Sequence, residues 1–366
     1  MKFVDDYRDP TRLKIQLAEL RKLITRRWVI MDVCGGQTHG LLRHGLEQAL
    51  EDVLDLVHGP GCPVCVTPAE AIDDAVELAK RPEVIMTSFG DMLRVPGRQG
   101  SLLQARARGS DIRIVYSPAD AVQLAVKESE MQVVFFAVGF ESTAPSTALA
   151  VLQARQLGLT NFSLLANHVR VEPAMRAVMQ LPENRIQGML AAGHVCTVTG
   201  FAHYSAFVDQ FQVPVVVTGF EPMDLLAGLT RCVQLLESGE PQLFNEYSRS
   251  VRSEGNKHAQ RLIEDVYCVA TVPWRGFREI IDGGLVMRPE LRDFDARNRF
   301  GLAASLLSSD GDCRSGDVMT GRIKPIECPL FGNTCTPDNP VGAPMVSSEG
   351  SCSAYYRYAR PIEVRT

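Results

Sequence analysis

Apolar positions along the chain change their period several times, and each change predicts an element. Leu13, Leu17, Leu20 and Ile24 recur at helical spacing, which predicts an amphipathic helix over 11–26. From Trp28 onward short β-rich runs alternate with helical segments. WVIMDV (28–33), DVLDLV (52–57), EVIMTS (83–88) and IRIVYS (112–117) form one set; VVFFAV (133–138), FSLLAN (162–167), IQGMLAA (186–192) and VPVVVT (213–218) form a second. Strands separated by helices predict parallel sheets built from right-handed βαβ units.

Four strands followed by four more predict an α/β protein with two similar parallel-sheet domains, 28–128 and 129–240. Gly139-Phe140-Glu141 and Gly219-Phe220-Glu221 each follow a strand, an echo in keeping with duplication. Residues 1–27 form a helical segment expected to pack on the C-terminal domain. Two helix starts are legible: Thr67-Pro68-Ala69-Glu70 and Ser117-Pro118-Ala119-Asp120 each offer a capping hydroxyl, a proline at the first helical position and an acid at the third. After about residue 240 the rhythm fails, which sets off 241–366 as a loop-rich C-terminal domain. The stretch 308–353 is rich in Gly, Pro, Ser and Asp and lacks a periodic apolar face, so a metal or cluster is expected to hold it.

Composition narrows the function classes. The chain has 366 residues and a formal net charge of −5 with no polybasic run, which argues against nucleic-acid binding. Its apolar runs are far shorter than the ~18 residues of a membrane span, and MKFVDDYRDP lacks the apolar core of a signal peptide. A cytoplasmic protein without membrane contact is expected. Ten cysteines are the unusual number. In that compartment clustered cysteines mean metal or redox chemistry more often than structural cross-links.

The cysteines fall into three constellations. The first is Asp32-Val33-Cys34-Gly35-Gly36-Gln37-Thr38-His39-Gly40, at the end of the first strand, where parallel sheets bind ligands. Gly35 and Gly36 allow a tight turn and are expected to keep the Cys34 thiol accessible. The second is His58-Gly59-Pro60-Gly61-Cys62-Pro63-Val64-Cys65, after the second strand. A C-x-x-C at a helix N-terminus reads as redox-active, because the helix end favours thiolate. The same spacing suits half a zinc site, with Cys34 and His39 as the other ligands. If the first two strands are neighbours, three thiols gather at one sheet edge, a soft donor set for iron, copper(I) or zinc. The third is Cys313, Cys328, Cys335 and Cys352, separated by fourteen, six and sixteen residues. This spacing fits neither common ferredoxin patterns nor zinc ribbons, and leaves an iron–sulfur cluster and structural zinc both open, with unligated cysteines a third reading.

Cys232, in a helical run, and Cys268, in a strand-like one, are expected to pack in the core. Cys196 follows Gly193-His194-Val195 at a strand end, so His194 either lines the same crevice or is structural. Asp91, Glu141 and Glu221 also sit at strand ends, where an acid orients a ligand or, more commonly, caps a helix. No hydrolase elbow is present.

The motifs Cys34-Gly-Gly-Gln-Thr-His39, Gly59-Pro-Gly-Cys-Pro-Val-Cys65, Gly139-Phe-Glu-Ser-Thr143, Gly193-His-Val195 and Gly219-Phe-Glu-Pro-Met-Asp224, followed by the four late cysteines, occur in the order seen in the HypD-type maturation factors of nickel–iron hydrogenases. The chain resembles that family over essentially its full length. The resemblance implies a scaffold that works in complex with a small HypC-type chaperone and receives cyanide from HypE and HypF partners, while the Fe(CN)2CO unit is assembled as cargo. It implies that Cys34 holds this iron together with a partner cysteine. Cys62 and Cys65 would be a dithiol/disulfide pair, and Cys313, Cys328, Cys335 and Cys352 would bind a 4Fe–4S cluster. His194, Asp91, Glu141 and Glu221 would surround the site, with His39 and the N–H groups of Gly35 and Gly36 as donors to the cyanide and carbonyl groups. Two readings of other classes compete: a stand-alone iron–sulfur dithiol/disulfide oxidoreductase, and a zinc-stabilised α/β binding module.

Overall fold

A computed structural model describes residues 5–302 and 311–359. The ends of the 1–27 and 241–366 segments, and the first residues of the 308–353 stretch, lie outside the described residues.

All eight expected strands form: β1 (Trp28–Asp32), β2 (Leu54–His58), β3 (Val84–Ser88), β4 (Ile112–Ile114), β5 (Gln132–Gly139), β6 (Phe162–Val169), β7 (Gly188–Ala192) and β8 (Val215–Thr218). Three more follow: β9 (Leu243–Asn245), β10 (Tyr267–Pro273) and β11 (Glu279–Met287). They make two sheets, ordered β2-β1-β7-β8-β9 and β10-β11-β6-β5-β3-β4. The first is all parallel; in the second β3 to β6 are parallel and the β10–β11 hairpin adds antiparallel on β6. The fold is therefore α/β with mainly parallel sheets.

Alternation along β5 shows why these runs are strands. Val133, Phe135 and Ala137 enter one core and Val134, Phe136 and Val138 the other. A period of two splits a continuous apolar run between two faces, and each fully buried Val or Phe contributes roughly 1.5–3 kcal/mol. The first sheet is covered in the same way. Ile30, Leu56 and Val216 pack with Leu20 and Leu229 on one face, and Met31, Val57 and Val217 pack with Phe140 and Trp274 on the other.

The sheets do not follow the chain in consecutive halves. β1 and β2 pair with β7 and β8, whereas β3 to β6 make the other sheet, so 28–128 and 129–240 do not describe the sheets. The hydrophobic pattern marks strands but does not encode which of them meet. Nor does 241–302 belong to a loop-rich unit, because β9 extends the first sheet and the β10–β11 hairpin the second. The helix Pro10–Leu23 packs on Pro222–Ser238 rather than on the C-terminal segment, with Leu20 in the shared core and Glu237 taking the N–H of Thr25 and the indole N–H of Trp28. Ser117 and Asp120 form the expected capping box. Thr67 does not cap: its hydroxyl donates to the Pro63 carbonyl and closes the one-turn helix Pro63–Val66.

The irregular segment 311–359 lies against the first sheet. Its helix Ser351–Tyr358 packs on the helix Gly35–Arg43, and its turn Ala343–Met345 packs on the helix Pro63–Val66. The fold thus sets the late cysteines beside both early cysteine loops.

Candidate functional site

Strand order in the first sheet runs from β1 to β2 on one side and from β7 to β8 on the other. Strand order reverses between β1 and β7, which is where open α/β sheets form their ligand crevice. Cys34 follows β1 and His194 follows β7. The Cys34 Sγ lies 3.5 Å from His194 Nδ1 across this point.

Backbone bonds stitch the two early loops together. The Gly59 N–H donates to the Asp32 carbonyl and the Gly35 N–H to the Gly61 carbonyl, both at 2.8 Å. A Cβ on Gly61 would sit 2.2 Å from the Cys34 nitrogen, so only glycine permits this approach. Cys62 caps the helix Pro63–Val66, its Sγ accepting the Cys65 N–H, and is disulfide-bonded to Cys65. The expected gathering of three sulfurs at neighbouring strand ends is present, all in one buried cluster.

Cys34 is not accessible as expected: only 1% of it is exposed. Gly35 and Gly36 open the helix Gly35–Arg43 and serve close packing instead. A Cβ on Gly35 would strike Glu349, and one on Gly36 would press on the Phe220 ring. Burial pushes the Cys34 thiol up, against the N–H groups of Gln37 and Gly36, which favour thiolate; the Glu349 charge raises it further. Burial likewise lowers His194 to about 4, so its imidazole is neutral at ordinary pH.

The other candidates divide. Asp91 is exposed beyond β3, and its charge adds to desolvation in raising the carboxyl of Glu349. Glu141 is buried beyond β5, accepts the Val171 N–H, and is pushed by burial to about 7. Glu221 caps the helix Pro222–Ser238 and is held at the surface by Arg8, 2.7 Å away, which lowers its carboxyl. Its echo residue Glu141 therefore has a different environment. His39 turns to the C-terminal segment, with Nδ1 3.1 Å from the Ser348 carbonyl oxygen. With Cys62 bonded to Cys65, the four-ligand zinc set is not assembled.

Cys313, Cys328, Cys335 and Cys352 line one cavity. A Cβ on Gly342 would sit 2.2 Å from the Cys313 Sγ, so glycine keeps this space open. Burial first, then the other three cysteines, push the Cys352 thiol up. Among the described residues no three His, Cys, Asp or Glu side chains converge as a single metal ion requires. The four thiols surround a space instead. Pro344 and Met345 line it too, and their turn abuts the helix carrying Cys65. Cys232 is buried as expected, whereas Cys268 is only partly buried on β10, an edge strand.

Sequence reasoning missed Glu349, Phe220 and a buried charge network. His58 Nδ1 lies 2.5 Å from Asp32 Oδ2 and its Nε2 2.9 Å from Glu47 Oε2. Burial alone would drive the imidazole neutral; the carboxylates of Asp32 and Glu47 outweigh it and raise His58 to about 10. A raised histidine stabilises the fold fully below its unfolded value near 6.5 and loses that contribution as pH climbs through its folded value. Between about pH 7 and 8 His58 contributes a falling stability. Glu141, raised to about 7, adds to it in the same sense, and His168, His194 and His203, lowered to about 4 when folded, oppose it through their unfolded forms, so the share of His58 is the difference from His58→Gln. Stability to urea is expected to fall there by up to about 1.4 kcal/mol per pH unit. Urea titrations of the protein and of His58→Gln check this; an equal slope in both would remove His58 as the cause.

No helix among the described residues is long and apolar enough to cross a membrane. A family model described as "HypD: Hydrogenase formation hypA family" matches residues 11–359. The chain is 45% identical to the hydrogenase maturation factor HypD of Escherichia coli (strain K12), over 98% of each chain. It is 44% identical to that of Rhodobacter capsulatus, again over 98% of each, and 43% identical to the hydrogenase expression/formation protein HupD of Azotobacter chroococcum mcd 1, over 98% of this chain and 97% of the other. With this likeness spanning both sheets and both cysteine sites, the chain belongs to the HypD family of hydrogenase maturation factors.

Proposed function

We propose that this maturation factor is a cytoplasmic scaffold on which the Fe(CN)2CO unit of nickel–iron hydrogenase is built, in complex with a small HypC-type chaperone and with cyanide delivered through HypE and HypF. One observation carries the reading: the Cys34 thiol meets His194 at the strand-order reversal, with the Cys62–Cys65 pair beside it.

The cargo is an iron centre with strong-field ligands, for which thiolate is the appropriate donor. Buried Cys34 holds its proton until a cation shares the pocket, and a coordinating thiol then gives it up. Neutral His194, 3.5 Å away, orients the Cys34 sulfur, and the released proton leaves to solvent. Glu349 and Phe220 pack on Gly35 and Gly36 over the pocket, where Cys34 is 1% exposed. His194, Asp91, Glu141 and Glu221 are proposed to surround the cargo. The Gly36 N–H, which faces the Cys34 sulfur, is the proposed donor to its cyanide and carbonyl groups, the Gly35 N–H being held by the Gly61 carbonyl.

Four thiols around one space, kept open by Gly342, suit a cluster of several atoms better than a single zinc ion. Cys313, Cys328, Cys335 and Cys352 would hold a 4Fe–4S cluster there, which supplies single electrons when bound. The packing of Ala343–Met345 on Pro63–Val66 leaves one layer of residues between that cavity and Cys65. Two electrons and two protons convert the Cys62–Cys65 disulfide to a dithiol.

That adjacency would also serve a stand-alone dithiol/disulfide oxidoreductase, which gives Cys34 no task. Infrared spectroscopy of the anaerobic complex with the HypC-type partner separates the two. Cyanide and carbonyl stretching bands are expected, and their absence from a matured complex favours the reductase. Iron, zinc and acid-labile sulfide content of the same sample tests the cluster against zinc.

A further inference from the structure

Glu47, His58 and Asp32 form a buried chain with one end at the cysteine-rich segment and the other at Cys34. From that segment Lys324 Nζ reaches Glu47 Oε1 at 3.0 Å, and the Tyr355 hydroxyl donates to the same oxygen. Lys324 also lies 3.7 Å from Asp55 Oδ1. Arg185 pairs with Asp55 and donates to the Gly321 carbonyl at 3.0 Å. Three carboxylates (Asp32, Glu47, Asp55) thus face three cations (His58, Arg185, Lys324). Lys324 belongs to the segment, so the charges balance only when the segment is seated. An unbalanced buried charge is strongly unfavourable.

At the far end the Thr38 hydroxyl donates to Asp32 Oδ1 at 2.6 Å and lies 3.3 Å from the Cys34 carbonyl oxygen. Asp32 therefore pins the first turn of the helix that begins beside Cys34. At the near end Lys324 lies four residues before Cys328 and Tyr355 three after Cys352. Glu349, which covers the Cys34 loop, lies on the same stretch of chain. Both grips move with the late cysteines, and so does the cover.

We propose that Asp32, His58 and Glu47, gripped by Lys324 and Tyr355, are a docking lock that closes the Cys34 pocket only when the cysteine-rich segment is correctly seated. Lys324 and Tyr355 are positioning residues: they act on Cys34 through Glu47, His58 and Asp32. The use of the lock, to keep the iron site closed until the late cysteines are in place, rests on the scaffold reading; the lock itself does not.

The test is site-resolved alkylation of the full-length, reconstituted protein with a maleimide, read by peptide mass spectrometry. In Lys324→Met/Tyr355→Phe the Cys34 labelling rate is expected to rise at least tenfold, with visible absorption retained and labelling of buried Cys232 unchanged. Lys324→Arg, which keeps the charge, should stay within twofold of the parent, and Tyr355→Phe alone should fall between. Unchanged Cys34 labelling in the folded double variant overturns the lock. So does a parallel rise at Cys232, which marks general loosening; if the double variant fails to fold, Tyr355→Phe decides by the same comparison. Missing cyanide and carbonyl bands in the parent complex would overturn the scaffold reading while leaving this labelling result standing.

Discussion

Cys34→Ala is expected to abolish retention of the proposed iron–dicyanide–carbonyl cargo while the brown absorption expected of the proposed late-cysteine cluster survives. The two outcomes separate because the two cysteine sets share no residue: Cys34 sits at the end of β1, and the late cysteines line their own cavity. Loss of outer partners of a metal already costs ~10–100-fold in affinity, so loss of a thiolate ligand should cost at least ~100-fold. The fold should tolerate the change, because deleting one buried sulfur costs about 1–2 kcal/mol. His194 Nδ1 loses the thiol as its partner, and its burial-lowered pKa leaves it neutral, so no new charge is stranded. Infrared bands and the visible spectrum of one anaerobic preparation check both halves. Full-intensity bands in the variant would remove Cys34 as the iron ligand, and loss of the brown colour would undo the division into two sites.

The same pocket shows what the sequence reveals and what it hides. β1 to β8 are legible because runs such as VVFFAV must bury both faces, and such a run fits a pleated strand between two cores. The site loops are legible for a related reason: parallel strands put Cys34, Cys62 and His194 at ends where loops are exposed to ligands. Strand neighbours are another matter. β7 lies beside β1 because of how the intervening crossovers pack, and nothing in the β1 sequence names that partner. The cover over Cys34 is equally hidden, since Glu349 and Phe220 come from distant segments and only the glycines that receive them are visible locally. The His58 network had a local signal. Asp32 and His58 are partners in the β1–β2 register, both at the ends of buried apolar strands, where a charge requires a partner. Read together rather than strand by strand, they point to each other. The 241–302 region was misread for the opposite reason. Past Tyr267, β10 alternates half-buried and exposed residues (Cys268, Ala270 and Val272 against Val269 and Thr271), a weaker pattern than the continuous buried runs before it.

Cys328→Ala should bleach the visible absorption and take the bound iron and labile sulfide with it. Cys328 is one of four thiols on the cavity wall, and three thiolates leave one corner of a cubane cluster without a ligand. The segment that carries them has little else to hold it. Its buried apolar side chains are few, among them Val318, Met319, Met345, Val346 and Tyr355, and most of its backbone is turn. A segment so poor in core takes much of its folding free energy from what its thiolates bind. Loss of the cluster should therefore also lower the thermal midpoint, which Cys34→Ala should not do to the same degree. It should loosen the grip of Tyr355 and Lys324 on Glu47 as well, because both lie within four residues of a cavity cysteine. The visible spectrum, metal and sulfide content and a calorimetric scan of the variant check this together. Unchanged absorption would reassign the late cysteines. A colourless parent protein that holds zinc and no labile sulfide would turn the cavity into a structural zinc site and leave the Cys62–Cys65 pair without a local electron source.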